Sequence, residues 1–450
     1  MAVAPSRTAE LMERERTRFA QLHPRSRALG EQARDALLSG VPMNWMTRWP
    51  GDFPIWVQEA HGARVVDADE IEYVDFALGD TGAMTGHAPG PTVAAVQREV
   101  ARGLTTMLPS EAGVGAGAEL RRRFGLPHWQ FTLSATDANR FVLRLAREVT
   151  GRPKVLVHNH CYHGSVDETV TTLTDDGRVI PRHGSIGPQI DPALTTRVVE
   201  INDLEALERE LAHGDVAAVL VEPALTNIGI VLPDPGYHDA LRALTREHGT
   251  LLVIDETHTF CCGPGGYTAA YGLAPDAVTI GKPIAGGIAT GAYGLSDAFA
   301  DRVLETTVWD AADVGGIGGT LAGNRLSLAA VRATLQEVLT DAAFADMIAL
   351  GERFESGVHD VIADAGLPWH VTRLGCRVEY MFAPVPHRTG AEAAAAFDAP
   401  LDALLHLYAL NRGVLMTPFH MMALMSPATT EADVDRHTAV FADAVAELTA

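Results

Sequence analysis

The chain is poor in cysteine and in positive charge, and it has no long apolar run. Its four cysteines, Cys161, Cys261, Cys262 and Cys376, include an adjacent pair but no C-x-x-C spacing, which argues against a disulfide framework or a zinc ribbon. Lysine and arginine number 35 against 57 aspartates and glutamates, leaving a formal charge of −22 with no basic run. The electrostatic footprint of a nucleic-acid binder is therefore missing, and an anionic membrane surface is an equally poor partner. No segment approaches the ~18 uninterrupted apolar residues of a membrane span. The opening MAVAPSRTAELMERERTRFAQ carries charges where a signal peptide needs an apolar core. The expectation is a soluble, unprocessed, cytoplasmic protein.

What is present is a chain of 450 residues, 47% apolar, long enough for a sizeable interior shared among lobes. Residues 1–90 read as N-terminal helices followed by a β-meander arm. Residues 91–325 alternate helical and strand patterns, with strands expected at 154–158, 216–222, 251–256 and 277–280. That order predicts an α/β large domain with a mainly parallel sheet. Residues 326–450 carry long amphipathic patterns and a closing helix, and together with the N-terminal arm they suit a smaller α+β domain.

Two of the buried strand patterns end in ionisable groups. LLVIDE delivers Asp255, and AVTIGK delivers Lys282 just before the glycine-rich PIAGGIATGAYG, read as a turn. A lysine amine can hold an aldehyde cofactor as a Schiff base, and an aspartate can pair with the pyridinium nitrogen of pyridoxal 5'-phosphate (PLP). The plainer reading of Asp255 is a strand-end helix cap. A surface lysine is a poor reading of Lys282, given the apolar run before it and the glycines after it. Ser134, Ala135 and Thr136 open a helix pattern where backbone N–H groups and the helix dipole favour a phosphate, though S-x-T before a helix also serves as an ordinary cap. Thr320, in GGTLAGN, offers a hydroxyl to an anion from a second such loop.

HNHCYHGS, residues 158–165, has three histidines and a cysteine, but the spacing matches no closed zinc site and no metal is expected. Tyr162 is the better functional candidate, as an aromatic face for a planar cofactor, with His163 and Gly164 shaping the turn and His163 a candidate substrate contact. Glu222 ends VAAVLVEP, either as a cofactor-site carboxylate or as a cap on a neighbouring helix.

Together these segments resemble the class III (subgroup II) aminotransferases of PLP fold type I, and most closely the branch containing glutamate-1-semialdehyde aminomutase. The resemblance runs from about Trp56 to the C-terminus. It rests on YVDFALGDTGAMTGHAP, SATDAN, RLAREVTGRPKVL, CYHG, VEPALTNIGIVLP, DETHTF, TIGKPIAGGIATGAYG, GGTLAGN and RGVLMTPFHMMALMSPATTEADVD. It implies that Lys282 is the Schiff-base lysine, that Asp255 pairs the pyridine nitrogen and that Tyr162 stacks on the ring. It also implies that Ala135 and Thr136 donate to the phosphate and that Thr320 reaches the phosphate of a neighbouring subunit, which makes the protein a homodimer with shared sites.

The chain departs from the family in places. It has SATDA where the family commonly has SGTEA, and Thr257, His258, Thr259 and Phe260 where a V-x-x-G-F-R pattern often follows DE. It reads SGVPMNWMTRWPG where the aminomutase branch has a GGVNSPVR-like segment whose arginine takes the substrate carboxylate. This last difference counts against strict aminomutase activity unless Arg48 replaces that arginine. Trp45 and Trp309, with Trp49 and Trp56, are read either as pocket walls or as packing, and His420 occupies a C-terminal stretch used for substrate contact. The leading expectation is a ping-pong aminotransferase moving an amino group from an amine or amino acid to a keto acid, with β-amino and aromatic or apolar donors among the candidates. An intramolecular aminomutase or a racemase is the alternative, and a catalytically silent relative the remote one.

Overall fold

The computed structural model describes residues 3–306, 316–418 and 420–450; Trp309 lies outside them. Two compact units divide the chain: Gly90–Phe344 with His387–Ala395, and Met1–Pro89 with Ala345–Pro386 and Ala396–Ala450.

In the first, seven strands form one sheet: β1 (His128–Thr132), β2 (Lys154–His158), β3 (Thr196–Val199), β4 (Val216–Val221), β5 (Leu251–Asp255), β6 (Ala277–Ile280) and β7 (Gly291–Leu295). Their spatial order is β1-β7-β6-β5-β4-β2-β3. Neighbours from β6 to β3 run parallel, while β7 is antiparallel to both β6 and β1. Every residue of β4 and β5 is buried, which is why VAAVLV and LLVID show unbroken apolar runs instead of alternation. The helix Ala135–Thr150 turns Ala138, Phe141, Val142, Leu145 and Ala146 into the interior, an i, i+3, i+4 stripe expected of a helix lying on a sheet.

Three of the seven strands, β1, β3 and β7, were not among those expected from the sequence. The stretch after Lys282 is a short 3-10 helix, Lys282–Ala285, followed by strand β7 instead of an open turn. Its glycines conceal the strand because Gly294 accepts the Trp129 indole across it; a Cβ there would lie 2.6 Å from the ring. The chain also stays with the sheet unit beyond residue 325, through Phe344. Buried Arg123 explains this, since its guanidinium donates to the Leu335 and Leu339 carbonyls at 2.5 and 2.8 Å. The first stretch from residue 325 is an α-helix, Arg325–Ala333, running into a π turn, Thr334–Val338.

The other unit begins with helices Pro5–Leu22 and Pro24–Ala33. Its four-stranded sheet joins Val57–His61, Arg64–Asp67 and Glu72–Asp75 to the distant Val414–Leu415, so the N-terminal arm and the C-terminal segment build it together. Phe19, Val65, Tyr73, Leu407, Leu410 and Leu415 form one core cluster there. Buried Glu15 is matched by Asn411 and Arg412 at 2.9 and 3.0 Å. Among the described residues no helix is long and apolar enough to cross a membrane.

Candidate active site

The parallel pairing of β5 with β6 sets Asp255 beside Thr279 at the carboxyl ends of the two strands, the edge at which open α/β sheets bind ligands. Asp255 is 4% exposed. One of its oxygens accepts from Asn139 Nδ2 at 2.8 Å and pairs with His163 Nδ1 at 2.9 Å; the other accepts the Thr257 amide at 3.0 Å. Asn139 is itself oriented by the Thr279 hydroxyl, 2.6 Å away. Burial alone would push the Asp255 carboxyl up, but His163, Thr257 and Asn139 overturn this and hold it below the ordinary carboxylate range. For His163 burial acts downward, and Cys161 and Asp255 outweigh it, raising the ring to about 10. Each partner favours the charged form of the other, the carboxylate that of the ring and the ring that of the carboxylate.

Lys282 follows β6 with φ of 44°, a left-handed backbone that costs a side-chain-bearing residue about 1–2 kcal/mol. Strain of this kind gathers at sites where the surroundings fix a side chain's direction. The amine is directed at the turn that follows β5, with Nζ 2.8 Å from Nε2 of buried His258.

A third element is the start of helix Ala135–Thr150. Ser134 is its N-cap, the side chain accepting the Asp137 amide, and the Ala138 amide bonds back to the Ser134 carbonyl. The Ala135 and Thr136 amides precede the first intrahelical bond and stand at the positive end of the dipole. The Thr136 hydroxyl accepts the Ser165 amide at 3.2 Å. Gly164 is required beside it, because φ is +76° and a Cβ would lie 2.0 Å from Thr136 Oγ1. This contact fixes the turn that carries half-buried Tyr162 to the helix start.

The remaining sequence candidates fall as follows. Glu222 is 2% exposed and uses its oxygens on the Tyr162 amide, at 2.9 Å, and the Thr226 hydroxyl, at 2.6 Å. Burial pushes its carboxyl up, and its bond to the Tyr162 amide makes it a support for that turn. His163, offered as a substrate contact, is 1% exposed and turned onto Asp255. Of the other histidines of HNHCYHGS, His158 meets the Tyr237 hydroxyl at 2.7 Å, and among the described residues no group of three or more His, Cys, Asp or Glu side chains is placed to hold a metal ion. Thr320 is exposed on a turn before helix Arg325–Ala333. Trp45, Arg48 and His420 belong to the other unit. There Trp45 is half-buried in the short helix Asn44–Thr47, Arg48 is exposed at its end, and His420 is buried against Glu379. Asn139, Thr279 and His258 were not singled out from sequence. The signals available were the asparagine closing SATDAN and a histidine three positions after Asp255.

This constellation fits PLP. A buried aspartate kept ionised by three donors suits a protonated ring nitrogen, the Lys282 amine suits an aldehyde, and the Ala135 and Thr136 amides suit a phosphate.

The sequence pattern of the class-III aminotransferases (Aminotransferase class-III) matches residues 45–445. A glutamate-1-semialdehyde 2,1-aminomutase of Sorangium cellulosum is 33% identical over 433 residues, covering 94% of this chain and 96% of that protein. A solved structure described as a glutamate-1-semialdehyde-aminomutase from Pseudomonas aeruginosa PAO1 is 52% identical, with TM-score 0.98 and full coverage of both chains. A β-phenylalanine aminotransferase from Variovorax paradoxus is 26% identical at TM-score 0.87, covering 98% of this chain and 97% of its own. The chain belongs to the class-III aminotransferase family, enzymes of PLP fold type I that work with pyridoxal 5'-phosphate.

Proposed function

We propose that the chain is an aminomutase of the glutamate-1-semialdehyde type, exchanging an amine on C2 with the carbonyl on C1 of a single substrate. Residue reading alone ranks transamination first. The weight moves to the mutase because of the likeness to the Pseudomonas aeruginosa protein along the whole of both chains, with the Sorangium cellulosum protein in agreement. The exchange adds and removes no atoms, so no second amine or keto acid is consumed.

When bound, PLP supplies an electron sink for the carbanion left as a substrate C–H bond breaks. In this reading Asp255, backed by His163 and Asn139, holds negative charge against the ring nitrogen. The Ala135 and Thr136 amides take the phosphate, and Tyr162 supplies an aromatic face. Lys282 holds the cofactor at rest and, once released, moves the proton between carbons. Thr320, exposed in one chain, serves the site of a second copy in a homodimer.

Transamination to a keto acid is the second reading, favoured by the likeness to the Variovorax paradoxus aminotransferase and by the absence of a GGVNSPVR-like segment. The two separate on one experiment. Purified protein with PLP is given glutamate 1-semialdehyde and no keto acid, and the isomerised product is followed. We expect sustained turnover, abolished by Lys282→Ala. Product that forms only when a keto acid accompanies an amine donor would establish the transaminase instead.

A further inference from the structure

The chain has only two lysines, Lys154 and Lys282. Lys154 Nζ lies 3.4 Å from Asp215 Oδ2, a half-exposed ion pair at the start of β2. Lys282 Nζ instead lies 2.8 Å from His258 Nε2. At this distance the amine can donate to a neutral ring nitrogen. His258 comes from DETHTF, where the sequence leaves the family's V-x-x-G-F-R pattern, and it is 5% exposed. The carboxylates on its own turn have other partners: Asp255 takes His163, Asn139 and the Thr257 amide, and Glu256 takes the Thr259 hydroxyl and the Tyr267 amide.

We propose that His258 is a positioning residue that receives Lys282 whenever its amine is not bonded to the cofactor and stabilises the ammonium formed when that amine takes a proton from substrate carbon. This rests on the reading in which Lys282 moves the proton. As the C–H bond breaks its electron pair stays on carbon and an N–H bond forms at Nζ. A hydrogen bond from that ammonium to Nε2 favours the charged form and fixes its direction until the proton returns to the neighbouring carbon.

With two lysines, full-length protein enriched in 13C-lysine gives two side-chain signals, and their titration can be followed by NMR both without cofactor and with pyridoxamine 5'-phosphate, whose amine leaves Lys282 free. Lys154 is the internal reference. Hydrogen bonds to charged groups are worth about 1.5–3 kcal/mol, so His258→Leu should lower the proton affinity of Lys282 about tenfold or more and leave Lys154 unmoved. His258→Gln, which retains an acceptor, should stay within about threefold of the native value on the same scale. If His258→Leu does not fold, His258→Asn, too short to reach Nζ, tests the same contact. A Lys282 titration unchanged in the leucine or asparagine variant would overturn the proposal. The titration needs no turnover, so it stands or falls separately from the assignment of the reaction.

Discussion

Asp255 shows how the site keeps a charge in a buried place. It has little contact with water, and its three donors come from a helix start, a strand-end turn and the loop after β2. Asp255→Asn removes the negative charge and turns an amide toward Asn139 and His163, both of which are donors. Losing one preorganised electrostatic group of this kind costs about 100- to 1000-fold in kcat, and this is the expected loss in steady-state assays with cofactor supplied in excess. Asn139→Ala leaves the charge and removes one support, so the drop should be smaller, about tenfold, in line with one lost hydrogen bond to a charged group. Equal losses in the two variants would mean that Asn139 does more than orient Asp255. Asp255 and Lys282 were legible because each ends a buried strand, and a chain-local pattern reveals that. Asn139, Thr279 and His258 were not, because their meaning depends on a helix start and two strand ends meeting in space.

Among the elements, strands with unbroken apolar runs were the easiest to read, and strand β7 was the hardest. GAYGL has neither alternation nor β-branched residues, since packing against Trp129 selects for absence of a side chain at Gly294. Its backbone φ is not in the left-handed region, so alanine there meets a steric obstacle and no conformational one. Overpacking costs about 1–3 kcal/mol, and Gly294→Ala should lower the thermal midpoint at fixed scan rate by about 2 °C or more. Combining it with Trp129→Leu should recover part of the loss, a coupling that independent sites do not show. Additive losses would remove the indole as the reason for the glycine. The reach of the sheet unit to Phe344 has a related cause: the bonds from Arg123 to the Leu335 and Leu339 carbonyls span more than 200 residues, and no local pattern records them.

For the molecule as a whole, stability toward acid depends on histidines buried in the neutral state. His437 is 2% exposed, stacks on Phe354 at 4.2 Å between ring centroids and has no hydrogen-bond partner at Nδ1; burial pushes it down to about 3. His158, in the sheet unit, is also pushed down to about 3, by burial first and then by His238 and His163. As pH falls below the unfolded value of about 6.5, the unfolded chain takes up these protons while the folded chain refuses them until about 3. Stability therefore declines with falling pH across that window, by about 1.4 kcal/mol per unit for each such histidine. His163 works in the opposite sense. Its folded value, raised to about 10, gives stability that is fully present below about 6.5 and is lost as pH rises through the folded value, so it shapes the alkaline limb. His437→Phe keeps the aromatic packing and removes the titrating ring, whereas His158→Phe would leave the Tyr237 hydroxyl without its bond. Urea midpoints measured at pH 7.5 and 5.5 should therefore lie closer together in His437→Phe than in the native chain, by the equivalent of about 1.4 kcal/mol; an unchanged gap would mean that His437 is protonated in the fold and that the acid limb belongs to other groups.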